Sequence, residues 1–221
     1  MPRTARASAG GICYHVLNRG NARGDVFHKD GDFAAFVKLI ELANERLPMR
    51  VLAYCLLNNH FHLVIWPQKN GDLSRWMQGL LTSHVRRYHR HYDSSGHVWQ
   101  GRFKAFPVQE DKHLLTVLRY VERNPLRANL VPRAEPWPWS SLAWRVSGER
   151  PGTLTDWPIA CPRDWLARVN KPQSKAEEDA LRRAIERGQP FGAEAWSQRI
   201  AKRLGLESTL RPRGRPRKVE K

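Results

Sequence analysis

Cysteine is scarce. Cys13, Cys55 and Cys161 are the only three in 221 residues, and no two stand at a CxxC spacing. An odd number without that spacing argues against a disulfide framework or a zinc knuckle, and the thiols read as small buried hydrophobes in a reducing compartment. Acidic residues are also few, 21 Asp and Glu against 38 Lys and Arg, which leaves a formal net charge of +17. A field of that sign draws a polyanion rather than a small neutral substrate, so nucleic acid is the leading partner. Missing too is any apolar run near the roughly 20 residues that span a bilayer. The N-terminal "MPRTARASAGG" lacks the apolar stretch of a signal peptide. The expected location is therefore the cytoplasm, in association with the nucleoid, with no membrane partner. What the chain does hold is 41% hydrophobic residues, nine of them Trp, enough for a packed core without metal or disulfide staples.

The apolar pattern divides the first 130 residues into short elements. "GICYHVLNRG" alternates Ile12, Tyr14 and Val16 against Cys13, His15 and Leu17, the period of a strand. "DGDFAAFVKLIELANERLP" carries Phe33, Phe36, Val37, Ile40 and Leu47 near helical spacing, with Asp30 or Asp32 as N-cap and Pro48 closing it. "VLAYCLL" and "HFHLVIW" are strands separated by Asn58-Asn59, residues that tolerate the positive φ of a two-residue hairpin turn. In "DLSRWMQGLLTSHVRRYHRHY", Leu73, Met77, Leu80, Leu81 and Val85 form a helical stripe, and Arg86, Arg87 and Arg90 gather near its end. "HVWQGRFKAFPV" reads as extended. "DKHLLTVLRYVERNP" gives a further helix capped by Asp111, with Leu114, Leu118 and Val121 buried and an exit before Pro125. The order predicts an α+β fold, a four-stranded antiparallel sheet in βαββαβ (ferredoxin-like) order with two helices on one face.

Beyond residue 132 the texture turns to Pro and Trp, and a boundary is expected in Pro151 to Ser174. Two helical patterns, "AEEDALRRAIERG" and "AEAWSQRIAKRLGLE", joined by "QPFG", then precede the basic "STLRPRGRPRKVEK".

Period 2 sends His60, His62 and Val64 to one face of their strand, so both imidazoles point the same way. Two such histidines can share a divalent cation, although an HxH pair in a strand is as readily a satisfied cross-strand contact. Downstream, Tyr120 and Asn124 in "RYVERNP" stand at i, i+4 and share a helix face. An Asn side-chain oxygen suits a hard cation as a third ligand, and Tyr on a helix shoulder can equally be packing.

"HFH" behind a two-residue turn, with "YVERNPLRANLV", resembles the HUH single-tyrosine transposases. "YHVLNRGNARGDVF" and "GHVWQGRFKAF" resemble blocks of the subgroup associated with repetitive extragenic palindromes (REP). The resemblance covers roughly residues 11 to 145 and implies that His60, His62 and Asn124 hold Mg²⁺ or Mn²⁺ while Tyr120 attacks a phosphodiester. The implied activity is a metal-assisted DNA strand transfer, in which single-stranded DNA near hairpins is cut and rejoined through a 5′-phosphotyrosine. The implied partners are single-stranded and hairpin DNA, and the resemblance admits a homodimer, since such relatives include dimers that exchange the tyrosine helix. One departure is Asn58, which stands where relatives often have Pro. The expected organisation is a catalytic domain over 1–150, a linker over 151–174, a helical DNA-binding extension over 175–207 and a disordered basic tail over 208–221.

Arg86, Arg87 and Arg90 suit a phosphate backbone, although a basic helix end also complements the macrodipole. Trp99, Arg102, Phe103 and Lys104 could combine stacking with phosphate contact, and the two aromatics serve equally as core. His15 and the loop Asn18 to Arg23 are weaker DNA-contact candidates. In the tail, Arg213, Arg215, Arg217 and Lys218 resemble an AT-hook, which lays Arg-Gly-Arg in a narrow minor groove. The rival readings are a noncatalytic DNA-binding protein and a phosphodiesterase in which water attacks. Pure binding explains neither the paired histidines nor Tyr120 with Asn124, and in the second rival Tyr120 is only structural.

Overall fold

A computed structural model of the protein describes residues 8–149 and 152–211. Strand β1 (Cys13–Arg19) is followed by α1 (Asp30–Arg46), the hairpin of β2 (Arg50–Leu57) and β3 (His60–Trp66), α2 (Asp72–Tyr92), β4 (Lys104–Val108) and α3 (Lys112–Arg127). All strand pairs are antiparallel, in the spatial order β2-β3-β1-β4. This is the α+β sheet that the element order predicts.

Both faces of the sheet are buried. Tyr14, Val16, Phe61, Leu63 and Ile65 face α1 and α2, where they meet Phe36, Ile40, Leu73, Trp76 and Leu80. On the other face Cys13, Cys55, Val64, Phe106 and Val108 meet Leu114, Val117, Leu118 and Val121 of α3. Each fully buried side chain of this size is worth about 1.5–3 kcal/mol, so α3 is fixed by an apolar stripe as firmly as α1 and α2 are. Cys13 and Cys55 are buried as expected, whereas Cys161 is exposed.

Several local expectations are corrected. Neither Asp30 nor Asp32 caps α1: Lys29 holds the cap position without a side-chain bond. Asp32 is instead buried inside the first turn, accepting from the backbone N–H of His28 at 3.0 Å and the Tyr92 hydroxyl at 2.5 Å. Asn58 and Asn59 do form the hairpin turn, but neither has positive φ. The turn is held from outside: the Asn58 carbonyl accepts from Val26 and Phe27 at 2.8 and 2.9 Å, and the Asn59 carbonyl accepts from Gly20 at 2.7 Å. Those bonds do the stiffening that a proline would otherwise supply. The extended stretch is interrupted: the strand spans only residues 104–108, Trp99 makes an isolated bridge to Gly20, and Trp99 and Phe103 are buried. Trp99 packs against Phe27, Phe36, Phe61 and His84 and is core, not a stacking platform. Helix α3 runs through Pro125 to Arg127. The proline sits in the last turn, where its missing N–H forfeits one bond, and Ala128 and Leu130 still close the end on the carbonyls of Asn124 and Pro125.

The C-terminal half seals what the sheet leaves open. Edge strands present unpaired backbone groups that need cover. Along β2, Leu56 N–H donates to Trp139 O at 2.9 Å, Tyr54 N–H to Ser141 Oγ at 3.2 Å, and Trp157 Nε1–H to Leu52 O at 2.9 Å. The Pro- and Trp-rich stretch, with α4 (Ser141–Ser147), is thus the cover of one edge. Residues 152–174, expected as a linker, are packed: α5 (Trp165–Asn170) buries Trp165 and Val169 against α3, and the Arg119 and Arg123 guanidinium groups donate to the carbonyls of residues 169–172. The reason is that α3 carries a second polar register beside its apolar stripe, and this matches the open carbonyls of a helix end. At the β4 edge, Phe191 between α6 (Lys175–Arg187) and α7 (Glu194–Leu204) pairs with Val108, donating to Pro107 O at 2.8 Å. Leu181 and Ala184 of α6 pack on the α3 side of the sheet and Ile200 of α7 on the other, so the extension straddles this edge. A last turn, α8 (Glu207–Leu210), follows.

Glu122 knits these parts together. It is fully buried, and its carboxylate accepts from Ser141 Oγ at 2.6 Å, Arg145 Nε at 2.9 Å and Trp165 Nε1 at 2.7 Å. Removing one partner of such a buried pair is costly because the other keeps its desolvation penalty. Glu122→Leu is expected to lower unfolding free energy by about 3 kcal/mol in a urea titration, whereas Glu177→Ala, at the exposed Ser174 capping box of α6, should cost about 1 kcal/mol.

Candidate active site

Residues paired across antiparallel strands share a face, so the sheet register lays out the site. His62 lies opposite Leu17, and Leu17 lies opposite Lys104 on its other side; His60 lies opposite Arg19. This row faces α3, not α1 and α2. His60 and His62 stand with ring centroids 5.1 Å apart, and the Tyr120 ring meets His62 edge-on at 5.6 Å. The two histidines and the tyrosine therefore converge within one chain.

A third histidine completes the group. His15 on β1 stacks on His62 and places its Nε2 2.9 Å from His62 Nδ1. His60 in turn sets its Nδ1 2.6 Å from Asn59 Oδ1. Nδ1 is engaged in both rings, and in the tautomer in which His62 Nδ1 carries the proton and donates to His15, Nε2 of His62 is left with a free lone pair. Among the described residues, His62 Nε2 is buried and has no hydrogen-bond partner. A buried nitrogen lone pair without a donor is what a cation satisfies, and second-ring-nitrogen bonds of this kind orient metal-binding histidines. The residues present thus fit a divalent cation. Among the described residues no cluster of three His, Cys, Asp or Glu side chains could hold one.

Asn124 is buried on α3, and Arg127 joins it to the tyrosine: its Nη2 donates to Asn124 Oδ1 at 3.2 Å and to Tyr120 Oη at 3.1 Å, while its guanidinium lies 4.9 Å from the Tyr120 ring centroid. The other tyrosines are engaged elsewhere. Tyr14 and Tyr54 are buried on the α1/α2 face, Tyr88 pairs with His28, and Tyr92 bonds Asp32.

The remaining predicted contacts separate into three groups. Arg102 and Lys104 line a cleft of about 400 Å³ beside the histidine row. Arg86 and Arg90 are exposed on α2, in the layer across the sheet from Tyr120, and Arg87 there lies 3.4 Å from Asp32. Arg213, Arg215, Arg217 and Lys218 lie outside the described residues.

The family of transposases described as IS200-like matches residues 8–124, more than half of the chain. The chain belongs to the IS200-like transposases. Its similarity to a REP-associated tyrosine transposase of Haemophilus influenzae is 29% identity over 116 residues, 48% of this chain and 65% of that protein, so the match spans just under two thirds of the relative. A solved REP-associated tyrosine transposase bound to a REP hairpin superposes with a TM-score of 0.54 at 20% identity, covering 73% of this chain and 98% of that structure, and shows the shared fold. The family match includes His60, His62, Tyr120 and Asn124 and stops short of Arg127 and of the C-terminal extension.

Two residues at this transposase's candidate site were not singled out for it from sequence. Arg127 stands at i+3 from Asn124 and i+7 from Tyr120, so extending the helix-face count by one turn finds it, once α3 is known to continue past Pro125. His15 is, from sequence, a strand residue that suits either a DNA contact or an ordinary polar role; only strand register brings it beside His62, with its ring edge-on to Tyr120 at 6.1 Å.

Burial pushes the His15 imidazole down to about 3 and His60 to about 4, with Arg19 and Arg127 adding to the shift at His60. His62 is driven well below its ordinary value by burial first and then by the neighbouring histidines and arginines. A histidine whose native pKa is depressed is neutral when folded and protonated when unfolded, so the unfolded chain binds more protons below about 6.5. Stability is therefore expected to be full above that pH and to fall as pH drops from about 6.5 toward about 4. In NMR titrations the His60 and His15 ring signals should stay at their neutral positions at pH 5.5; midpoints near 6.5 would show that the rings are not buried as described.

Proposed function

We propose that this transposase cuts and rejoins single-stranded DNA beside hairpins, with Tyr120 as nucleophile and His60, His62 and Asn124 as the ligands of Mg²⁺ or Mn²⁺. The observation that carries the reading is the buried Nε2 of His62, without a hydrogen-bond partner among the described residues, on a ring that meets the Tyr120 ring edge-on at 5.6 Å, in a chain of this family. A divalent cation held there would neutralise and polarise the scissile phosphate. A phenol with an ordinary pKa near ~10 is a weak nucleophile at neutral pH. Arg127, which already donates to Tyr120 Oη, stabilises negative charge on that oxygen as the proton leaves for solvent. Oη bonds to phosphorus, the bond from phosphorus to the 3′ oxygen breaks, and that oxygen takes up a proton. The products are a 5′-phosphotyrosine and a free 3′-hydroxyl. Attack by another 3′-hydroxyl on the phosphotyrosine restores the phenol and joins the strands, so no nucleotide cofactor is consumed.

Hairpin DNA as substrate draws on the relatives, one named for REP elements and one solved on a REP hairpin. Within this reading residues 1–150 carry the chemistry. Arg102 and Lys104 hold the strand beside the site, Arg86, Arg87 and Arg90 bind duplex phosphates on the α2 layer, and residues 175–207 with the basic tail add affinity.

With labelled hairpin-bearing single-stranded DNA and Mn²⁺, the wild-type protein is expected to give a covalent adduct on denaturing gels, and Tyr120→Phe none. Cleavage that survives Tyr120→Phe would instead identify water as the nucleophile. His62→Ala should abolish metal-dependent cleavage, and His15→Leu should weaken Mn²⁺ binding about 10- to 100-fold by titration, as loss of a ligand-orienting bond does. Cutting the chain after Arg211 should weaken DNA binding and flatten its dependence on salt, because fewer counterions are released, while leaving adduct formation intact.

A further inference from the structure

The cleft beside the histidine row has one wall that the family match does not reach. Its floor and one side come from β1 and the 99–104 segment, which are tied to each other: Gln100 N–H donates to Arg19 O at 2.8 Å and Asn18 Nδ2 to Gly101 O at 3.1 Å. Its far wall is the end of α6, Ile185 and Glu186. The cleft begins one strand over from His62, since Leu17 on its floor is paired with His62 on one side and Lys104 on the other.

The chemistry of the lining is mixed in a particular way. Arg19, Arg102 and Lys104 supply positive charge. Leu17 and Ile185 supply an apolar surface. Glu186 is an exposed carboxylate that, among the described residues, makes no ion pair with any of these cations. Phosphate alone would be bound better without it, because an acid at that place repels the backbone and cancels part of the field. A carboxylate does, however, accept from the exocyclic amine of a base, a contact that thymine or uracil cannot make. Three cations for phosphate, an apolar wall for a base face and one acceptor for an amine together describe an unstacked nucleotide.

We propose that the C-terminal extension completes a nucleotide-reading cleft next to the site, in which Glu186 selects an unpaired base bearing an exocyclic amine. The inference rests on the DNA reading above and adds a specificity determinant to it. Glu186 acts by attraction to the amine and, against a base without one, by leaving its charge unpaired beside phosphate.

The test measures binding, not cleavage. Fluorescence anisotropy is recorded on hairpins with a short single-stranded tail, each unpaired position in turn carrying cytosine or uracil, and adenine or hypoxanthine. The wild-type protein should lose about tenfold in affinity when the amine is removed at one position, the scale of a hydrogen bond to a charged group. Glu186→Ala should bind both members of that pair equally, with the amine-free DNA bound more tightly than by wild type. Glu186→Gln, which keeps an acceptor without the charge, should retain a reduced preference. Binding without base discrimination, or a preference that persists in Glu186→Ala, overturns this inference alone. Failure of the wild-type protein to bind any hairpin overturns the functional reading with it.

Discussion

Tyr120 reaches the histidines, with Asn124 one turn further along, only because α3 lies where it does, and that placement is enforced from both sides of the helix. Beneath, Leu114, Val117, Leu118 and Val121 lock onto the sheet. Above, the Glu122 carboxylate and the Arg119 and Arg123 guanidinium groups bond to α4 and α5. A helix held by apolar contacts alone can slide or roll by a fraction of a turn at small cost, since such contacts have no direction. Hydrogen bonds to a buried carboxylate do have direction. The Pro- and Trp-rich stretch thus serves two ends: it covers the β2 edge and, through Ser141 and Arg145, fixes the rotation of the helix that carries the phenol.

The same reasoning applies to the imidazoles. Alternation along β3 sends His60 and His62 to one face, but alternation says nothing about which nitrogen is free. Asn59 and His15 engage Nδ1 in each ring, so Nε2 is the nitrogen of each that remains open to another partner. Asn59 is itself pinned, because its carbonyl receives Gly20 N–H and its Nδ2 donates to Arg23 O. The 20–27 loop therefore positions the site indirectly, through the turn that precedes His60.

The fold was legible because its signals are local: apolar alternation in β1 and β3, a short apolar run in β2, period 3.6 for three helices, and an Asn-Asn turn between two of the strands. Tyr120, Asn124, His60 and His62 were legible for the same reason, each pair lying within one element. What local pattern could not show is anything decided by pairing between elements. His15 came into the site through strand register, Trp99 went to the core through contacts with four distant rings, and residues 152–174 were packed by carbonyls that α3 needed. Pro125 misled because a proline's cost depends on its position in the helix: in the last turn it removes one bond and the helix outlasts it by two residues. That error hid Arg127.

Charge ties the catalytic and binding sides together. Burial is the first reason the histidines stay neutral, and the second at His60 is the pair of arginines beside it. Arg19 and Arg127 are part of the excess that makes the chain attractive to a polyanion, so the field that would gather DNA also keeps protons off the nitrogens proposed to hold a cation. An anionic cleft would do the opposite: it would repel the strand and raise the imidazole pKa toward the range where ligation fails. Glu186, which makes no ion pair among the described residues, is tolerable in this setting because it stands at the far wall, across Leu17 and Lys104 from His62, where the discrimination proposed for it would not recharge the histidine row.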